Sequence, residues 1–377
     1  MRLTERRLNR ATLDRQLLLL REPLSVVDAV RRVVALQAQE PASPYVALWN
    51  RVEGFEPADL DAAFADHAVV KATLMRITLH AVVAGDHPAF HDAMQTTLRA
   101  ARLNDRRYRA TGLPIADADA VVPDLMAFAS TPRSAAELEA WIDDRVGVLP
   151  KPGVWWALRS FAPLVHAPTG GPWSFGRRPS YVAAPTAPPL ADRQRSVERL
   201  VWRYLEGFGP ASAKDIGQFA LLRQPTIRAA VQALGHGLIQ LEGPDGADLF
   251  DVPAGAVPPE DTPAPPRLMA MWDSVLLAYA DRGRVIPAEY RQHVTRRNGD
   301  VLPTMLVDGY VCGVWRPVEG GIEATAFHPL PDVAWAGLST EARAMVAHLA
   351  DREPDVYRRY GRWWSTLPSA DTRVLGA

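Results

Sequence analysis

Residues 194–252 carry the clearest alternation of apolar and polar positions. In "RQRSVERLVWRYLEGFG" the apolar residues Val197, Leu200, Val201, Tyr204 and Leu205 form one helical stripe, which Gly207, Gly209 and Pro210 stop. Ser212 with Asp215 three residues on resembles a capping box, so "SAKDIGQFALL" predicts a second helix. "PTIRAAVQALGHG" predicts a third, and two strand-like runs flank the turn "GPDG". Helix, helix, helix, hairpin is a winged helix, whose third helix commonly enters the DNA major groove.

The same order recurs more loosely upstream. "DADAVVPDLMAFAS", "TPRSAAELEAWIDDR" and "GVWWALRSFA" predict three helices, followed by a hairpin of "PLVHAP" and "WSFGR" around "TGGP". Before them, "TERRLNRATLDRQLLL", "SVVDAVRRVVALQAQ" and "ADLDAAFADH" precede the strand-like "VVKATLMRITLHAVV". The six prolines of 253–267 predict a non-helical linker. Beyond it, "RLMAMWDSVLLAY" and the turns Asp308-Gly309 and Gly320-Gly321 predict an antiparallel sheet, closed by the helix "STEARAMVAHLADR" and the aromatic-basic tail "VYRRYGRWW". The expected fold is mainly α with β wings (α+β). It comprises three tandem winged helices in a C-shaped arrangement, at 1–94, 95–190 and 191–258, and a β-rich segment at 259–377.

Composition narrows the function. The 377 residues hold one cysteine, Cys312, so no internal disulfide or cysteine cluster is available, and a cytoplasmic location is expected. No apolar run is long enough to span a membrane, and the charged opening "MRLTERRLNRATLDRQ", which lacks the apolar segment of a secretory signal, leads us to expect none. Net charge is only −1, but the charge is unevenly placed. Of 42 basic residues only Lys71, Lys151 and Lys214 are lysine. Residues 95–110 and 282–297 each carry five arginines against one acid, whereas 56–66 carries only negative charge. A protein with one face toward nucleic acid has this polarity, although solvated helix faces produce it too.

Common enzyme motifs (GxSxG, HExxH, GxxxxGK, GxGxxG) are absent and the nine histidines are scattered, so no metal or nucleotide cofactor is expected. What remains is "VVALQAQEPASP", in which Gln37 and Gln39 stand two apart before Pro41. Proline pushes Glu40 out of helical geometry, so the helix is expected to end near Gln37 to Gln39. In an extended exit both amides lie on one side and converge on a single point. Together they can orient a water, but an amide is a negligible base. Such a site drives only a hydrolysis whose leaving group departs readily. Guanine alkylated at N7 in DNA is cationic and leaves as a neutral base, while carbonyl dipoles stabilise the oxocarbenium ion left on the sugar. On the residues alone, two glutamines capping a helix end remains the plainer reading.

Five segments in order resemble the AlkZ family of tandem winged-helix DNA glycosylases: "LQAQEPASPYVALWNRV", "KATLMRITLHAVVAGDHPAF", "RYLEGFGPASAKDIGQF", "MWDSVLLAYADRGR" and "NGDVLPTMLVDGYVCGVW". The family's catalytic motif, glutamine, apolar residue, then glutamine or aspartate, reads here Gln37-Ala38-Gln39. The resemblance implies monofunctional, metal-free hydrolysis of N7-alkylated purines in double-stranded DNA by a monomer, tolerating bulky adducts and interstrand crosslinks. Gln39 in place of aspartate is similar to members that give self-resistance to azinomycin-like antibiotics. Further candidates for the DNA-facing site are His80 and Asp273, although a satisfied structural histidine and a helix-start cap at Trp272-Asp273-Ser274 are the plainer readings of those two, with Arg282, Arg284, Arg296 and Arg297 as phosphate contacts. The rival reading is a winged-helix transcription regulator that binds DNA without catalysis.

Overall fold

The computed structural model describes residues 2–147, 153–185 and 192–376. Its first set of elements is α1 (Glu5–Arg15), α2 (Val26–Val33), β1 (Leu36–Gln37), α3 (Ser43–Trp49), α4 (Pro57–Ala65), β2 (Val69–Thr73) and β3 (Leu79–Val83). Thr4 and Ser25 cap α1 and α2, each side chain accepting a backbone N–H from the first turn. The second set is α5 (His87–Leu103), α6 (Arg106–Arg109), α7 (Ile115–Phe128), β4 (Arg133–Ser134), α8 (Ala135–Val146), α9 (Gly153–Phe161), β5 (Leu164–Ala167) and β6 (Ser180–Ala183). The expected boundary at 94/95 falls inside α5, and that at 190/191 lies outside the described residues.

The third set follows its sequence pattern closely: α10 (Arg193–Phe208), α11 (Ala213–Ala220), α12 (Gln224–Leu234), β7 (Ile239–Glu242) and β8 (Asp248–Asp251). Ser212 and Asp215 form the capping box at the start of α11. After the proline-rich linker come β9 (Arg267–Leu268), α13 (Arg291–Val294), β10 (Thr304–Val307), β11 (Tyr310–Val318), β12 (Gly321–Ala326), α14 (Asp332–Ala350) and β13 (Asp371–Leu375). Strands β13-β12-β11-β10-β9 make an antiparallel sheet in that order, turned at Asp308-Gly309 and Gly320-Gly321, where all four φ angles are positive.

Three expectations need correction. The helix "SVVDAVRRVVALQAQ" ends at Val33, because Val34 takes φ +73° and turns the chain into β1 before either glutamine. The second strand of the middle hairpin is "SYVA", not "WSFGR", with "TGGP" inside a longer loop. In "RLMAMWDSVLLAY" only Arg267 and Leu268 are strand; Asp273 caps a 3-10 turn at Ser274–Leu276.

The two upstream hairpins also merge. Lys71 on β2 pairs with His166 on β5, so one six-stranded sheet runs β1-β3-β2-β5-β6-β4. This sheet partitions the molecule. Val69, Ala81 and Val83 enter the core shared with the C-terminal sheet, while Val70, Ala72 and Val82 enter the core shared with α5 to α12. That alternation is the period-two pleat of a strand buried on both faces. Buried ion pairs tie distant elements together: Arg51 grips Asp273 with two hydrogen bonds of 2.8 Å, and Arg15 grips Asp251 at 2.6 and 2.7 Å.

Candidate active site

The strain at Val34, a β-branched residue with positive φ, delivers Gln37 onto the edge of the six-stranded sheet, directly opposite His80. Two contacts hold the turn: Ser274 donates its hydroxyl to the Ala35 carbonyl at 2.8 Å, and the Ala38 N–H reaches the Leu79 carbonyl at 2.8 Å. The loop joining β2 to β3 bends back over Gln37. Arg76 and Ile77 both have positive φ there, which turns the Arg76 guanidinium inward.

The two amides have different surroundings. Gln37 is 5% exposed. Its Nε2 donates to Thr78 Oγ1 at 3.2 Å, and its Oε1 accepts from Arg76 Nη2 at 2.8 Å. Gln39 is exposed, and its Oε1 accepts the Leu79 N–H at 3.5 Å, the outer limit of a hydrogen bond. The amides therefore flank consecutive residues, Thr78 and Leu79, one behind the hairpin end and one in front. Among the described residues no group engages the Gln39 Nε2, so both of its N–H bonds are free for a ligand or water.

Behind Gln37, Arg76 Nη2 also donates to His80 Nε2 at 3.2 Å, and Nη1 donates to the Phe219 carbonyl at 3.3 Å. The His80 Nδ1–H donates to the Thr78 carbonyl at 3.1 Å, which fixes the neutral tautomer. Burial, then the Arg76 charge, pushes the His80 pKa down to about 3, so the ring stays neutral at any working pH. Burial, then Arg282, draws the Arg76 pKa down to about 10, and the guanidinium remains charged.

Gln39 lines a cavity of about 370 Å³ with Thr73, Thr78, His166, Phe175, Tyr181 and four cations, Lys71, Arg102, Arg159 and Arg177. A second, larger cavity of about 900 Å³ adjoins it and shares Gln39, Pro41, Phe175, Gly176 and Arg177. There the walls include Trp173, Tyr357, Glu40 and Glu353. Glu40 is held by Arg359 and accepts the Tyr360 hydroxyl at 3.2 Å; burial raises its carboxyl pKa.

The structure separates the remaining candidates. Asp273 is 2% exposed with both oxygens on Arg51, and His80 is fully buried. Neither reaches the surface: His80 lies behind Gln37 against Arg76, and Asp273 is occupied by Arg51, as a satisfied structural histidine and a capping aspartate would be. Arg282 is half-buried against Thr295 and close to Arg76, and Arg284 lies over the Tyr279 ring with a bond to the Pro210 carbonyl. Arg296 stacks on Trp363, whereas Arg297 is exposed. Sequence reasoning missed Arg76 and Lys71. Arg76 carried no local signal, but a lysine inside the apolar strand "VVKAT" of an arginine-rich chain was one.

Gln37 thus sits buried on the edge strand behind the hairpin, and Gln39 stands in front of it at a cation-lined cavity. The chain belongs to the DNA glycosylase AlkZ-like family, whose sequence profile matches residues 30–348, and it is a DNA glycosylase. An interstrand DNA cross-link repair glycosylase of Streptomyces sahachiroi is 24% identical over 339 residues, spanning 85% of this chain and 89% of that protein. The solved Streptomyces sahachiroi DNA glycosylase AlkZ shares the fold with a TM-score of 0.79 at 20% identity, covering 94% of this chain and 98% of that one.

Proposed function

We propose that this glycosylase hydrolyses the N-glycosidic bond of N7-alkylated guanine in double-stranded DNA, bulky adducts and interstrand crosslinks included. It would act as a monomer, with three winged-helix sets in a C shape around the duplex, in DNA repair or in self-resistance to an azinomycin-like antibiotic. The carrying observation is the asymmetry of the amides: Gln37 is fixed by Thr78 and Arg76, while Gln39 offers an unengaged amide at the cavity. Gln39 orients the water through its N–H bonds and spare carbonyl lone pair. Gln37, with its own remaining lone pair, turns a carbonyl dipole toward the positive charge that develops at C1′.

No group in this arrangement removes a proton strongly, since His80 is occupied by two hydrogen bonds behind the site. The reaction then depends on the substrate's own cationic charge, which lets the base depart neutral. Arginines of 95–110 and 282–297 supply phosphate contacts around it. The test is release of free base from a duplex carrying one N7-methylguanine or one bulky N7 adduct. Gln39→Ala is expected to lower the single-turnover rate by about 100-fold without shifting the melting temperature. An unchanged rate in that variant would remove the oriented-water mechanism.

A further inference from the structure

The cavity beside Gln39 has a charge imbalance that base hydrolysis alone leaves unexplained. Lys71, Arg102, Arg159 and Arg177 all line it, and among the described residues no carboxylate does. None of the four forms an ion pair among the described residues. Arg102 donates to the neutral Ser160 hydroxyl at 2.9 Å, and Lys71 Nζ sits 4.3 Å from the centre of the Phe175 ring. Glu40 is the carboxylate whose field reaches Lys71, but it is held by Arg359 and the Tyr360 hydroxyl. Lys71 is 4% exposed, so it is a buried cation aimed into a cavity with no counterion. Burying the Lys71 charge without a partner is costly, and the half-buried Arg102 and Arg159 and the exposed Arg177 add like charge around the same space.

A cationic purine would be driven out of this space, and so would a neutral adduct that left the charges unsolvated. An anion is the ligand that removes the imbalance. Resting on the glycosylase reading above, we propose that this cavity seats the DNA phosphate next to the lesion, held by Lys71, Arg102, Arg159 and Arg177. Its negative charge then stands beside the sugar whose C1′ becomes positive, where it offsets the nearby guanidinium of Arg76. The departing purine is left to the adjoining larger cavity, where Glu353 engages only the Trp173 indole N–H, at 2.5 Å, and faces no paired cation among the described residues. Gln39 belongs to both cavities and so lies where the sugar would join phosphate to base.

The test uses the full chain and a duplex with one 2′-fluoro-arabino N7-methylguanine, which is cleaved slowly enough for binding to be measured. The phosphate on its 5′ or its 3′ side is replaced by an uncharged methylphosphonate. One of the two replacements is expected to weaken wild-type binding about tenfold, the scale of one charge-assisted hydrogen bond. Lys71→Met and Arg159→Gln should each weaken binding to the all-phosphate duplex similarly, and then lose almost nothing more with the sensitive methylphosphonate. Arg297→Gln, outside the cavity, should show the two losses multiplied. Multiplied losses in both cavity variants at both positions would overturn the seat, as would unchanged affinity in both variants. Free-base release from an ordinary N7-methylguanine duplex, measured in parallel on the wild type, keeps the two readings apart. Release with multiplied losses removes the seat alone, and its absence removes the glycosylase specificity on which the seat rests.

Discussion

Two populations of buried cation divide this molecule. In the core, Arg51 and Arg15 are almost completely enclosed, and each is gripped by two oxygens of one carboxylate. Around the cavity at Gln39, Lys71, Arg102 and Arg159 are also wholly or partly enclosed, yet none has a carboxylate partner among the described residues. The first population closes its own electrostatics and joins α3 to the C-terminal segment and α1 to β8. The second leaves its electrostatics open, which is a cost the fold carries for something that arrives from outside. Enclosed charge is therefore informative only together with its counterion.

The contrast can be broken most forcefully in the core. Arg51→Met strands Asp273 as an unpaired buried carboxylate and should lower the unfolding free energy by about 3–5 kcal/mol in urea titrations. Adding Asp273→Leu should recover much of that loss. The opposite sign is expected at the cavity. Burial lowers the Lys71 pKa from 10.5 to about 8, so the folded state resists a proton that the unfolded chain accepts. The resulting cost is complete below pH 8 and fades as pH rises toward 10.5, so Lys71→Met should stabilise by roughly 3 kcal/mol at pH 7 and by progressively less above pH 8. Denaturation midpoints across pH 7 to 10 measure this, and a uniform gain would show that packing rather than charge is responsible.

A smaller effect is expected behind the site. Arg76→Met releases the Gln37 carbonyl and should lower the rate of base release about tenfold while leaving DNA affinity nearly unchanged. A matching fall in affinity instead would make Arg76 a DNA contact. Smallest of all is Arg297→Gln, which should flatten the slope of log affinity against log salt by about 0.9 with the catalytic rate intact.

What the sequence disclosed follows from the range of each signal. The third helix-hairpin set was legible because Ser212 with Asp215, Pro225 and "GPDG" act within a few residues. The end of α2 was not, since a valine at φ +73° is imposed by packing and by the Ser274 bond to Ala35, which come from far along the chain. The glutamine pair was found through its chemistry and the family likeness, but the different burial of Gln37 and Gln39 depends on the hairpin that folds over them. Asp273 illustrates the converse error. Its capping of Ser274–Leu276 was visible locally, whereas the Arg51 that occupies its carboxylate was not. The merging of β2 with β5 had no local mark at all.

That merger also bears on how such a chain could be recombined. The cavity floor is a seam between the first and second helix-hairpin sets, stitched at Lys71 and His166. A chimera that exchanged residues 1–94 alone would set β5 of one parent against β2 of another, and a one-residue slip would turn Lys71 away from the cavity. The first two sets thus share one sheet and are best exchanged together, while the third keeps its hairpin in a separate two-stranded sheet, joined to the first set by the bridge between Arg2 and Glu242 and by the Arg15–Asp251 pair.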